Sequence, residues 1–78
     1  MLADIWSEVL NIEQIGVFDK FLELGGSSLS AIRIITRANE AFQLDLPLNL
    51  AFSKPTIAAF AEYIRETIME LLAQMDAE

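Results

Sequence analysis

The chain contains no cysteine and no histidine. No disulfide can staple it, and nothing in it points to an oxidising compartment. The commonest general base and the commonest metal ligand are missing together. Basic residues are also scarce: five Lys and Arg stand against twelve Asp and Glu, for a net charge of −7. A face that binds nucleic-acid phosphates needs the opposite balance, so that class of function is excluded. The acidity fits either basic partner surfaces or plain solubility. No run approaches the roughly 18 unbroken apolar residues of a membrane span. Met1 leads directly into an amphipathic stretch holding Asp4 and Glu8, which is no signal-peptide pattern. A cytoplasmic setting is expected, with no membrane partner.

What is present is an apolar chain of 78 residues, 54% hydrophobic, which sets one domain as the ceiling and favours a folded core over a disordered tail. A chain this short buries only about 60% of its unfolded surface, so that core must be economical.

Leu2, Ile5, Trp6, Val9 and Leu10 recur at helical spacing, with Asp4 and Glu8 off the stripe, which predicts a first helix over residues 2–12. The next stretch, EQIGVFDKFLELGG, holds no period and predicts a long ordered loop with a helical turn near Asp19–Leu22. Ile15, Val17, Phe21 and Leu24 are too apolar for a solvated linker and are expected to pin that loop to the helices. From Ser28 to Phe42 two apolar rows run together, Leu29–Ile32–Ile35–Asn39–Phe42 and Ala31–Ile34–Ala38–Ala41. Arg33, Arg37 and Glu40 take the remainder. This second helix is expected to stop near Gln43, before the extended LDLPL.

Asn49 is a candidate cap for a short turn through Leu50–Phe52, Ser53 and Thr56 are further cap candidates, and Pro55 suits a first helical turn. A final stripe runs through Ile57, Phe60, Ala61, Ile64, Ile68, Leu71, Leu72 and Met75, beside an acidic ridge of Glu62, Glu66 and Glu70. No strand pattern competes. The expectation is an all-α single domain over residues 1–78, with three main helices, a short third helix and a long first loop.

One corner stands out. LGGSSL at Leu24–Leu29 sets two glycines and two serines against the start of the second helix. A helix amino end carries unpaired N–H groups and about half a positive charge, so it accepts an attached or bound anion. Glycines there allow a sharp turn and leave open space. Ordinary loop-and-cap chemistry accounts for the same residues, and on the local pattern alone it is the favoured reading. It does exclude a nucleophilic catalyst: no His or Cys is present and Lys20 is the one local amine.

From Trp6 to Ile64 the chain resembles the peptidyl carrier, or thiolation, domains of nonribosomal peptide synthetases, relatives of acyl carrier proteins. Three blocks carry the resemblance in order and at family spacing: IWSEVL, IGVFDKFLELGGSSLSAIRIITR and LPLNLAFSKPTIAAFAEYI. Leu22 replaces the second residue of an aromatic pair, and Ala51 replaces a bulkier leucine, which is expected to loosen the short third helix slightly. The resemblance implies an acyl-carrier-type four-helix bundle with its core at about residues 2–66 and an extension or linker over 67–78. It implies covalent 4′-phosphopantetheine on Ser28, the serine directly before Leu29. Gly25, Gly26, Ser27 and Leu29 form the supporting motif, Ser27 being the more suited to cap the helix. Catalytic and metal-ligating residues are expected to be none, because the chemistry belongs to the arm's thiol.

The implied partners are a phosphopantetheinyl transferase, an adenylation domain and a condensation domain, with a thioesterase or ketosynthase as further candidates. Phe18, Leu29, Ala31, Ile32, Leu50 and Phe52 are expected to form the partner face. Fatty-acid acyl carriers typically bear acids along the second helix; Arg33 and Arg37 favour the peptidyl type. A polyketide-type carrier and an unmodified helical interaction module are the alternatives. The last helix is expected to continue past Glu66, as a linker or to meet its own domain, a neighbouring domain or another copy.

Overall fold

The computed structural model describes residues 2–76 and, among them, four helices and no strand: α1 Leu2–Leu10, α2 Ser28–Phe42, α3 Leu50–Ser53 and α4 Ile57–Asp76. None is long and apolar enough to cross a membrane.

Helix α1 stops at Leu10, two residues short of the expected end. The reason is Asn11, whose φ of 57° is left-handed, a conformation asparagine tolerates better than most residues. The Ile12 N–H then closes on the Ser7 carbonyl at 3.1 Å, and the Ser7 hydroxyl donates to the Ile12 carbonyl. At the far end of α2 the same device recurs. Gln43 takes φ 55° and its N–H returns to the Asn39 carbonyl, so the helix ends where the LDLPL segment predicts. Asn39 also spends its side chain there: its Oδ1 accepts the Leu46 N–H at 2.8 Å and ties the following segment to the helix.

The long loop is ordered by backbone as well as by side chains. Gly16 and Asp19 clasp each other, the Gly16 N–H to Asp19 Oδ2 at 2.8 Å and the Asp19 N–H to the Gly16 carbonyl at 3.0 Å. Two further bonds fasten the loop to the start of α4: Phe21 N–H to the Pro55 carbonyl at 2.7 Å and Ala58 N–H to the Val17 carbonyl at 2.9 Å. Of the four expected pins, Phe21 is fully buried, and Ile15 and Leu24 pack partly buried against the core. Val17 is the exception: it holds through its carbonyl while its side chain is exposed. The turn in this loop spans Phe21–Gly25, later than expected, because the Lys20, Phe21 and Leu22 carbonyls collect the Leu24 and Gly25 N–H groups.

The core is organised around Trp6. Its ring meets Phe21 at 5.6 Å and Phe60 at 5.8 Å, both edge to face, and Phe21 in turn meets Phe52 at 5.5 Å. This chain of rings joins α4, α1, the loop and α3, and such pairs contribute about 0.5–1.5 kcal/mol each beyond their burial. Trp6 Nε1 is buried without a hydrogen-bond partner among the described residues. Around the rings lie Ala31, Ile34, Ile35 and Ala38 of α2, Leu50 and Ala51 of α3, and Ile57 and Ile64 of α4. Helix α2 therefore buries a narrower arc than its two apolar rows suggest; Leu29, Ile32 and Ala41 face outward. On the surface, Arg37 of α2 pairs with Glu8 of α1.

Thr56 caps α4, its Oγ1 accepting the Ala59 N–H at 3.1 Å, and Pro55 lies just before the helix instead of inside its first turn. Ser53 does not cap; it ends α3, and its hydroxyl lies 3.4 Å from each of the Asn49 and Leu50 carbonyls. Asn49 precedes α3 without a side-chain capping bond. Helix α4 runs on past Glu66 as expected, reaching Asp76.

Candidate functional site

The corner before α2 is built by two glycines that are needed for different reasons. Gly25 has φ +89° with nothing within 4 Å of where a Cβ would sit, so its role is conformational. At Gly26 a Cβ would lie 2.5 Å from the Phe21 ring, so its role is space. The Gly26 N–H also donates to the Phe21 carbonyl at 3.0 Å, which presses this backbone against the ring. The turn is thus braced on the aromatic core and cannot drift.

Beyond it, the two serines do different work. Ser27 is the N-cap of α2, in extended conformation, with its Oγ 3.4 Å from the Ser30 N–H and 3.2 Å from the Ser30 hydroxyl. Its carbonyl accepts the Ala31 N–H at 2.8 Å. Ser28 is the first residue of α2; it is exposed, and its hydroxyl has no hydrogen-bond partner among the described residues. No acidic residue occupies the first turn of α2, so the chain leaves the positive end of this helix uncompensated. An exposed, unengaged hydroxyl beside a positive helix end, on a turn that the two glycines permit, fits a phosphodiester on Ser28.

Next to Ser28 opens a shallow, almost wholly apolar groove of about 220 Å³, lined by Ser28, Ala31, Ile32, Leu48, Asn49 and Phe52. Of the six residues expected on the partner face, Leu29, Ile32 and Phe52 are exposed close to the hydroxyl, and Phe18 is 78% exposed on the loop. Ala31 and Leu50 are corrections. Each is only 1% exposed, because the core-facing side of α2 and the first residue of α3 close on each other; Ala31 contributes the floor of the groove and Leu50 belongs to the core. Leu48 went unnoticed in sequence. It stands exposed at the groove because Pro47 and the turn into α3 set it there, and a four-residue extended segment offers no periodicity to reveal it. No group of His, Cys, Asp and Glu that could hold a metal occurs among the described residues.

A family model described as a phosphopantetheine attachment site matches residues 2–64. Tyrocidine synthase 3 of Brevibacillus parabrevis is 46% identical over 66 residues, which are 85% of this chain and 1% of that protein. The chain therefore spans about one hundredth of the length of the curated relative it matches. Among solved structures, the type-II acyl carrier protein BlmI of Streptomyces verticillus superposes with a TM-score of 0.83 at 30% identity, covering 86% of this chain and 81% of that one. A peptidyl carrier protein solved with the phosphopantetheine transferase Sfp and coenzyme A gives a TM-score of 0.79 at 38% identity, covering 83% and 84%.

Proposed function

Because the chain belongs to the phosphopantetheine attachment site family, we propose that it is a peptidyl carrier domain whose Ser28 holds the 4′-phosphopantetheine arm. Bound there, the arm supplies a thiol on which aminoacyl and peptidyl groups ride as thioesters during nonribosomal, or mixed peptide–polyketide, synthesis. The domain itself is not an enzyme. Its residues present the arm: Gly25 supplies the turn, Gly26 lets that turn pack on Phe21, Ser27 fixes the helix start, and the uncompensated end of α2 receives the phosphodiester charge.

Residues 2–66 serve as the carrier core and 67–78 as an extension from it. The proposed setting is a cytoplasmic synthetase. A phosphopantetheinyl transferase, an adenylation domain and a condensation domain would meet the exposed apolar residues around Ser28 in turn, in contacts that are small and brief. Arg33 and Arg37 on α2 support the peptidyl type over an acidic-helix acyl carrier.

The observation that carries the reading is the difference between the adjacent serines: the Ser27 hydroxyl is engaged in the helix cap, and that of Ser28 is exposed and unengaged. Intact mass after incubation with a promiscuous phosphopantetheinyl transferase, coenzyme A and Mg²⁺ tests it. The chain gains one phosphopantetheine, Ser27→Ala gains it too, and Ser28→Ala gains nothing. A wild-type chain that stays at its unmodified mass favours the unmodified interaction module. Loading with amino acids against malonyl groups then separates the peptidyl from the polyketide type.

A further inference from the structure

One buried ring touches both halves of the surface around Ser28. Phe21 is fully buried, and the far end of its ring lies against Gly26. A Cβ on Gly26 would be 2.5 Å from Cε2 and Cζ of that ring and 2.6 Å from Cε1. The same ring meets Phe52 edge to face, with centroids 5.5 Å apart. Phe52 lines the apolar groove beside Ser28 and is 42% exposed. The corner that carries the hydroxyl and the aromatic wall of the groove therefore rest on one side chain.

The backbone of Phe21 is fastened separately. Its N–H donates to the Pro55 carbonyl at 2.7 Å, and its carbonyl accepts the Gly26 N–H at 3.0 Å and the Leu24 N–H at 3.2 Å. A change confined to the ring leaves these bonds in place, so the ring's role is separable from the loop's. Gly26 lacks the positive φ of Gly25, and the three atoms nearest to a Cβ there all belong to the ring.

A transferase that docks on the apolar residues around Ser28 must also reach its Oγ. In transfer from coenzyme A, the Ser28 Oγ bonds to the phosphorus that bears pantetheine. The pyrophosphate P–O bond breaks, adenosine 3′,5′-bisphosphate leaves, and the hydroxyl proton passes to a base on the transferase. Such geometry is steep in distance: a misplacement of about 1 Å can cost about a hundredfold in rate. Leu29 and Ile32 travel with Ser28 on α2, whereas Phe52 belongs to α3. The Phe21 ring ties the two.

We propose that Phe21 is a positioning residue for arm attachment: its ring holds the Ser28 corner in register with Phe52, so that a transferase docked beside the groove finds the hydroxyl in place. This role presupposes Ser28 as the attachment site. The two ring contacts act on different kinetic constants. Contact with Gly26 orients the hydroxyl and is felt in kcat; contact with Phe52 steadies the docking wall and is felt in KM.

The test is steady-state transfer from coenzyme A by a promiscuous phosphopantetheinyl transferase. The 78-residue chain is the varied substrate, at a temperature where circular dichroism shows each variant folded. Phe21→Leu lacks Cε1, Cε2 and Cζ and releases Gly26 and Phe52 together; kcat falls about tenfold and KM rises about threefold. Adding Gly26→Ala puts a methyl into the vacated space; kcat recovers about fivefold and KM stays raised. In the wild-type background the same Gly26→Ala displaces the ring and lowers kcat, an arm that stands even where Phe21→Leu does not fold. Ile64→Val, a core change on α4, lowers the melting temperature and leaves both constants within about twofold of wild type. A folded Phe21→Leu with wild-type kcat and KM overturns the proposal. So does Gly26→Ala if it lowers kcat equally in both backgrounds, or Ile64→Val if it loses as much kcat as Phe21→Leu, which would reduce the effect to general stability. A wild-type chain that takes no arm overturns the attachment reading, and this role with it.

Discussion

Replacing Gly26 with alanine tests the bracing of the corner. The new Cβ would sit 2.5 Å from Phe21 Cε2 and Cζ and 2.6 Å from Cε1, so the ring must retreat by about 1 Å to reach ordinary carbon contact. It has little room: Phe21 is fully buried, with Trp6 at 5.6 Å and Phe52 at 5.5 Å on either hand. Overpacking of this kind costs roughly 1–3 kcal/mol, which in a domain of this size lowers the melting temperature by about 5–20 °C. Gly25→Ala meets no atom within 4 Å and pays only for its φ of +89°, about 1–2 kcal/mol.

The two losses overlap in size, so a second substitution separates them. With Phe21→Leu in the background, the cost of Gly26→Ala shrinks by about 1 kcal/mol or more, while that of Gly25→Ala does not move. Circular dichroism melts of the three single and two double variants, beside wild type, measure both cycles. If Gly26→Ala melts within about 2 °C of wild type, or if its cost is the same with and without the Phe21 ring, the corner is not braced on the core and the reasoning fails.

Three further outcomes follow from the structure. Asn39→Leu leaves the Leu46 N–H without its acceptor; urea unfolding should show a loss of about 1–3 kcal/mol. Glu8→Ala and Arg37→Ala each cost under about 1 kcal/mol, since both side chains are at least half exposed, and the loss shrinks as salt is added. Attachment of the arm places a negative phosphodiester at the uncompensated amino end of α2; at low ionic strength the modified chain should be more stable than the unmodified one by about 0.3–1 kcal/mol in thermal melts, a gain that high salt removes.

Much of the fold could be read from apolar spacing, and the exceptions have local causes. Helix α2 spans the predicted Ser28–Phe42 because its pattern is dense and its ends are marked by Ser27 and Gln43. Helix α1 ended early because one asparagine entered the left-handed region, which periodicity does not register. Val17 was misjudged since apolarity reports a side chain's preference, whereas this residue holds the loop through its carbonyl. At the site, the family resemblance assigned the two serines different roles, but the reason Gly26 must be glycine could not be read from the sequence. It depends on a ring five residues away folding back onto it. Ala31 was placed on the partner face because the wide apolar arc of α2 does not say which of its edges faces inward, and Leu50 because a four-residue helix is too short to show a face. Asn39 shows the same limit: an amide within an apolar row gives no sign of the backbone N–H it will hold.

The most direct test of the central claim is localisation of the arm. After transfer from coenzyme A, electron-transfer fragmentation of the intact chain should break the backbone between Ser27 and Ser28 and leave the added mass on the fragment that begins with Ser28, with further cleavages confining it to that residue. Added mass on Ser27 or Ser30, or none after exposure to a transferase that modifies other carriers, would contradict it.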